Sequence, residues 1–242
     1  MDFQLGAWQL DLTNIINKLK NKKELRGLDA NFIESRILEY LSKNKVDLDN
    51  ERSKSYRAMF KYLRKKLREV YGVFRNVKEK RDLKIYKKIF REFKPKIIMD
   101  LGCGLEPLNY IKIYDAKYYC YDINNEEIKK INGFFKKSDI NGKAFIFSLI
   151  DNDLDKLQKT DLCLILKVLE GVEAIKKGFS EELLRKIKSK VIIVSFAKIA
   201  LGKTARIRKA GRSWFRRILW QLNYNYEVFD SDDEIFFIIR KY

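Results

Sequence analysis

Ile97-Ile98-Met99-Asp100-Leu101-Gly102-Cys103-Gly104 carries the strongest structural signal in this 242-residue chain. Its apolar start reads as a buried strand and its end as a glycine turn. Asp122 closes the next strand-like run. A strand, a turn whose backbone can approach a ligand, and a carboxylate on the second strand together make a nucleoside-cofactor pocket. The pattern is Asp-x-Gly-x-Gly, and Pro107 stands where a dinucleotide fingerprint has its third glycine. That favours S-adenosylmethionine over NAD. Gly102 and Gly104 let the turn pass close under the methionine end, where a side chain would collide. Asp100 can orient the turn or meet the cofactor's amino group. Asp122 is placed to accept from both ribose hydroxyls, and Asp151, after the third strand, from the adenine amine. Ile123 and Leu166, beside the ends of the second and fourth strands, complete the candidate cofactor set. The same residues could serve only as turn formers and caps. Carboxylates after successive strands favour the cofactor reading.

Outward from this stretch the pattern alternates. Strands are expected near 96–100, 117–122, 143–149, 161–166 and 190–195, with helices between them. One helix covers Ser180–Ser189, with Ser180 as its cap. Asp230-Ser231-Asp232-Asp233 turns a hairpin of strands near 225–230 and 234–240. Five parallel strands closed by a hairpin are the order of an α/β, Rossmann-like seven-stranded class I methyltransferase sheet. Residues before Pro95 read as helices. Asp29 can cap a helix with Phe32, Ile33, Ile37, Leu38 and Leu41 on one stripe. A second helix, from about Asn50 to Phe74, buries Tyr56, Met59, Phe60, Leu63, Leu67, Val70 and Tyr71. A third, roughly 79–93, buries Leu83, Tyr86, Ile89, Phe90 and Phe93. The expected domains are therefore a helical, basic 1–94 and a methyltransferase 95–242.

The chain has no histidine, which excludes imidazole bases, Ser-His and Cys-His pairs and histidine-bound metals. Cys103, Cys120 and Cys163 lie in or beside expected core strands with no metal-ligand spacing, so no metal is expected. Nothing reads as a signal peptide or a bilayer-spanning run, so a cytoplasmic setting is expected. The net charge of +19 is uneven. Residues 51–95 carry seventeen basic and five acidic side chains, whereas 96–195 carry seventeen and fifteen. Ser53–Arg68 and Lys198–Arg217 contain no acid at all. A solvated helix face normally mixes signs, so these two runs point to a polyanion, with Arg57, Lys61, Arg64, Lys65, Arg68 and Lys198 as candidate RNA contacts.

The fourth strand ends Ile165-Leu166-Lys167-Val168-Leu169-Glu170. It lacks the Asn/Asp-Pro-Pro-aromatic turn of enzymes that methylate exocyclic amines. Cys163, inside an apolar run, is a poor candidate for the nucleophile of pyrimidine carbon-five methylation. Guanine N7 holds a free lone pair and needs neither device, so positioning alone serves it. Lys167 and Trp214 are the candidate catalytic residues. Lys167 is assigned to phosphate or base-edge contact. Trp214 is either a stacking platform for a flipped base or a core residue beside Phe215, Ile218 and Leu219.

Ser195-Phe196-Ala197-Lys198-Ile199-Ala200-Leu201-Gly202-Lys203, followed by Trp214-Phe215, resembles the Ser-Phe-Pro-Thr-Lys/Arg-Ser-Leu-Gly-Gly and Trp-Phe segments of the Arm/Rmt aminoglycoside-resistance 16S rRNA methyltransferases. Asp100 to Leu108 resembles their Asp-Leu-Ala-Cys-Gly-Leu-Asn-Pro-Leu, and Leu164 to Leu169 their Leu-Ile-Phe-Lys-Leu-Leu. Arg64 to Gly72 is similar to their Arg-Arg-Lys-Leu-His-Gln-Val-Tyr-Gly. Their Ser-Thr-Arg-Glu-Arg segment has a blurred counterpart in Lys78-Glu79-Lys80-Arg81. The resemblance implies an S-adenosylmethionine-dependent enzyme with a helical domain that docks on the small ribosomal subunit and makes 7-methylguanosine in 16S rRNA; a monomer is expected. It also implies that Gly102, Asp122 and Asp151 bind the cofactor, that Lys167 lines the site, and that Lys203, Arg206 and Arg208 contact rRNA. Two alternatives stand beside it: methylation of another rRNA or tRNA nucleotide, and a non-catalytic RNA-binding or ribosome-assembly factor on the same scaffold.

Overall fold

The structure, a computed structural model, describes residues 12–75, 81–198 and 212–241, with the backbone alone over 69–75. The chain forms two compact units. One is Met1–Val77 with Ile123–Glu126, and the other is Lys78–Asp122 with Glu127–Tyr242.

In the first unit, a helix over 12–20 (α1) is followed by α2 (Ala30–Lys43) and α3 (Lys54–Arg75). Asp29 caps α2 as expected, its carboxylate accepting from Phe32 N at 3.1 Å. Ser53 Oγ does the same for α3, accepting from Tyr56 N at 3.1 Å. Phe32, Ile33 and Ile37 face the core, but Leu38 is 47% exposed. At 100° per residue it has rotated off the stripe that Ile33 and Ile37 define. α3 buries Tyr56, Met59, Phe60, Leu63 and Leu67. The expected Val70 and Tyr71 contacts lie outside the described side chains.

The strip 123–126 completes this unit. Asp29 N donates to Ile123 O and Asn125 N to Gly27 O, both at 2.9 Å, around an antiparallel bridge between Leu28 and Asn124. Asn124 is fully buried and lies over Gly27, where a Cβ would come within 2.4 Å of its Oδ1. Only glycine fits there.

The second unit is built on one seven-stranded sheet, ordered β3-β2-β1-β4-β5-β7-β6. Its strands are β1 (Ile97–Leu101), β2 (Lys117–Asp122), β3 (Gly142–Ile146), β4 (Thr160–Leu166), β5 (Ser189–Ala197), β6 (Asn225–Asp230) and β7 (Glu234–Arg240). The first five run parallel, and β7 inserts antiparallel between β5 and β6. β1, β4 and β7 read as near-continuous apolar runs because both faces are covered. β3 stops three residues short of expectation. Ser148 N turns to Asn152 Oδ1 at 2.6 Å instead of continuing the ladder.

Three further expectations are corrected. Helix α4 (Leu83–Phe93) starts later than residue 79, with Asp82 as its cap. It buries Tyr86, Ile89 and Phe90 in one cluster with Ile98, Tyr118, Leu162 and Phe236. It therefore belongs to the sheet unit, and the boundary expected at 94/95 falls at 77/78. Pro107 opens the short α5 (Pro107–Tyr110), where its missing N–H is harmless. Helices α6 (Asn125–Lys137) and α7 (Leu169–Ile175) follow. Ser180 lies inside α8 (Phe179–Lys186) and does not cap it. The Glu173 carboxylate accepts from Ser180 N at 2.9 Å and from Gly178 N instead. α9 (Ser213–Gln221) buries Phe215, Ile218 and Leu219 as expected. Among the described residues, no helix is long and apolar enough to cross a membrane.

Candidate active site and basic groove

The chain leaves β1 for β2 and β3, then returns to place β4 on the other side of β1. The crevice beyond the carboxyl ends of β1 and β4 is thus the topological switch point, where open α/β sheets bind ligands. The Asp100–Gly104 turn and Lys167-Val168 both sit there. Gly102 and Gly104 have φ of +67° and +52°. The two glycines do different jobs. A Cβ on Gly102 would meet Val168 Cγ2 at 2.6 Å, so Gly102 lets the turn close on the loop after β4. That is protein packing, where sequence reasoning expected only ligand clearance. A Cβ on Gly104 would meet nothing nearer than Glu127 Oε2 at 3.8 Å, so this is the position open to an approaching ligand.

The turn is tied to the end of β2. Gly102 N and Cys103 N donate to Tyr121 O at 2.8 and 3.1 Å, and Gly104 N donates to Asp122 Oδ2 at 2.9 Å. Asp100, Gly102, Gly104 and Asp122 therefore come together as expected. Ile123 follows directly, its carbonyl held by Asp29. Asp151 is exposed in the loop after β3, and Ser148 Oγ donates to its Oδ2 at 2.7 Å. Leu166 ends β4 half-buried. Asp100 is buried and accepts from Tyr110 Oη at 2.6 Å. Burial pushes its carboxyl up to about 7, with the Tyr110 hydrogen bond and the Arg81 charge opposing. Its partner is protein, not an open cleft. The thiols of Cys103, Cys120 and Cys163 are buried, and burial raises each of them, away from the reactive thiolate form.

Lys167 is tied to the protein. Its φ is +61°, its N donates to Ser195 O at 3.0 Å, and its ammonium lies 3.3 Å from Glu234 Oε1. It is held by a protein carboxylate, a partner the sequence did not point to. Glu234 is the residue that sequence reasoning missed. It is 3% exposed at the head of β7. Arg81 Nε and Nη2 donate to its two oxygens at 2.8 and 3.1 Å, and Ser195 Oγ donates at 2.6 Å. Arg81 Nη1 donates to Tyr86 Oη at 2.7 Å, and that hydroxyl donates to Glu106 Oε2 at 2.8 Å. Tyr86 stacks on Tyr110 at 4.5 Å, which returns the network to Asp100. Burial alone would raise the Glu234 carboxyl, but Arg81, Lys167 and the Ser195 hydrogen bond hold it below the usual carboxylate range. A carboxylate placed directly before the apolar run Ile235–Ile239 was the available signal, since a charge drawn into a buried strand needs a partner.

Trp214 is half-buried, edge-on to Phe196 at 5.8 Å and to Phe215 at 5.6 Å, so packing is part of its role. Lys198 is likewise tied to the protein. Its ammonium donates to Ser231 O at 2.6 Å and pairs with Asp230 at 3.5 Å, which pins the hairpin turn. Arg212, in the same acid-free run, is buried against Glu170 at 2.9 Å. Lys203, Arg206 and Arg208 lie outside the described residues. No cluster of metal-ligating side chains occurs among the described residues.

The first unit contains a separate cleft of about 630 Å³. Lys18, Lys22, Arg57, Lys61, Arg64 and Arg68 line it, with Tyr56 and Phe60 at its base. Arg64 lies 5.3 Å over the Phe60 ring, and its Nε is buried with no hydrogen-bond partner. Lys18 pairs with Glu51, and Arg68 with Glu24 at 2.7 Å. Lys65 is exposed on the same helix but does not line the cleft. Four of the five α3 cations singled out from the sequence thus line one groove.

A switch-point cleft with a glycine turn tied to the β2 carboxylate, on a sheet closed by an antiparallel β7, defines the class I methyltransferase fold. The sequence profile of the ribosomal RNA methyltransferase (FmrO) family matches residues 65–213, and the chain belongs to that family. It is 28% identical over 125 residues to a 16S rRNA (guanine(1405)-N(7))-methyltransferase of Micromonospora echinospora, covering 50% of this chain and 45% of that one. It is 21% identical over 151 residues to the enzyme of the same name from Frankia casuarinae, covering 61% and 53%. The matched stretch thus spans about half the length of these curated relatives. Among solved structures, the 16S rRNA methyltransferase RmtF in complex with S-adenosyl-L-homocysteine superposes with a TM-score of 0.75 at 19% identity, covering 96% of this chain and 98% of that one. The 16S rRNA methylase RmtB gives 0.72 at 17% identity, with the same coverage.

Proposed function

We propose that this chain is an S-adenosylmethionine-dependent methyltransferase that methylates guanine N7 in 16S rRNA of the small ribosomal subunit, acting as a monomer. The observation that carries the reading is the Gly104 N–Asp122 tie between the turn after β1 and the end of β2, beside the switch point, in a chain of the rRNA methyltransferase family. The residues of the Asp100–Gly104 turn suit the cofactor. A Cβ on Gly104 would meet nothing nearer than 3.8 Å, which leaves the turn approachable, and Asp122 and Asp151 are the carboxylates assigned to ribose hydroxyls and an adenine amine. When bound, S-adenosylmethionine supplies a methyl group activated on a sulfonium.

The protein's share is positional. Guanine N7 attacks with a lone pair and loses no proton first, which suits a chain without histidine. A base within folded RNA is reached by flipping, and the exposed part of Trp214 is available to stack on it. The basic groove of the first unit takes phosphodiester groups. Phosphate contacts of this kind dock an enzyme without reading sequence, so the shape of the assembled subunit supplies the specificity.

The test is incubation of the full chain with labelled cofactor and separated 30S subunits, 50S subunits and tRNA. Borohydride-aniline cleavage and primer extension on the labelled pool then follow. Label in 16S rRNA with a cleavage stop at one guanine is the expected result. Label in another pool overturns the substrate, and label without cleavage overturns the N7 position.

A further inference from the structure

Glu234 holds more charge than a strand end requires. Replacing a buried ion pair by apolar side chains is often neutral or stabilising, so stability alone does not explain a carboxylate holding Arg81 and Lys167 together. Its location does. Lys167 is the neighbour of Val168, whose side chain packs on Gly102. Asp100, at the base of the same turn, senses the charges of both Arg81 and Glu106. Two cations therefore stand near the Gly102–Gly104 turn, Arg81 held by Glu234 and Glu106 and Lys167 by Glu234, while the turn's own carboxylate, Asp122, is tied to Gly104 N.

We propose that Glu234 is a positioning residue that cancels the Arg81 and Lys167 charges at the Gly102–Gly104 turn, so that the pocket accepts a cationic sulfonium ligand in preference to its neutral thioether counterpart. This rests on the cofactor reading above. At an effective dielectric of about 20, an uncompensated charge ~8–12 Å from another shifts an affinity by roughly ten- to thirtyfold. S-adenosylmethionine carries the positive sulfur and S-adenosylhomocysteine does not. The two otherwise share every contact, so their affinity ratio isolates charge from shape.

Calorimetry of the full chain with both ligands is the experiment. Glu234→Gln is expected to weaken S-adenosylmethionine about tenfold more than S-adenosylhomocysteine, and Glu234→Asp to return most of the original ratio. Lys167→Met, which leaves Glu234 and Arg81 paired and the fold supported, is expected to move the ratio the other way, toward S-adenosylmethionine. Equal changes for both ligands in Glu234→Gln, or an unchanged ratio in Lys167→Met, overturn the proposal. Wild-type protein that binds neither ligand overturns the cofactor reading itself.

Discussion

Arginine and lysine are treated in opposite ways along α3 and around the β5–β7 end of the sheet. On α3, Arg57 and Lys61 are exposed along a groove. In the sheet unit, the Arg81 and Arg212 side chains are 7% and 5% exposed, and Lys167 and Lys198 are half-buried, each against a carboxylate. An exposed cation is easily kept and interacts weakly with its own chain, so it remains available to a partner. A buried cation is retained only with its counter-charge, and then it organises the protein. A count of basic residues does not separate the two cases.

Four experiments press on that contrast. The largest effect is expected from Arg57→Glu/Lys61→Glu/Arg64→Glu, which should weaken binding to 30S subunits by about a thousandfold at low salt. It should also flatten the dependence of log K on log salt by about three phosphate contacts. Filter binding across a salt series reads both, and an unchanged slope would remove the groove from the docking surface. Next, Arg81→Met should lower unfolding stability by about 3–5 kcal/mol, because it strands the Glu234 carboxylate. Arg57→Met should change it by less than about 0.5 kcal/mol. Urea titration with equal losses for the two would collapse the distinction.

Asp122→Ala should weaken S-adenosylmethionine about a hundredfold, since charge-assisted hydrogen bonds are lost together with the Gly104 tie. Calorimetry showing unaltered affinity would refute the pocket assignment.

The smallest effect is in pH. Asp100 titrates at about 7 in the folded chain, against an ordinary value of 3.8. Its folded value is raised, so its contribution to stability is full below about pH 4 and is lost as pH rises through 7. Between pH 5 and pH 7 that loss amounts to about 2 kcal/mol. Asp100→Asn, which keeps a partner for Tyr110, should flatten this slope in chemical denaturation.

The sheet was legible in the sequence almost strand by strand, because parallel strands covered on both faces leave apolar runs and the hairpin leaves a polar turn. The Asp100–Gly104 turn and Asp122 were legible for the same reason: glycine at positive φ and a strand-end carboxylate are local features. What escaped was non-local. Arg81 and Glu234 are 153 positions apart, and neither carries a pattern that points to the other. Lys167 and Lys198 looked like open cations because their acids, Glu234 and Asp230, sit on the hairpin. α4 went to the wrong unit because an amphipathic helix declares a buried face but not what buries it.

The strip Ile123–Glu126 has a practical consequence. It lies in the middle of the sheet sequence, yet its backbone is paired to Gly27 and Asp29. Cutting the chain at 77 would strand the Ile123 carbonyl and the Asn125 amide one and three residues past Asp122. The helical region is thus no detachable cassette. Any chimaera that borrows it must carry a matching splice from the far side of the second strand, and exchanges made at a single junction will yield insoluble or ligand-blind hybrids.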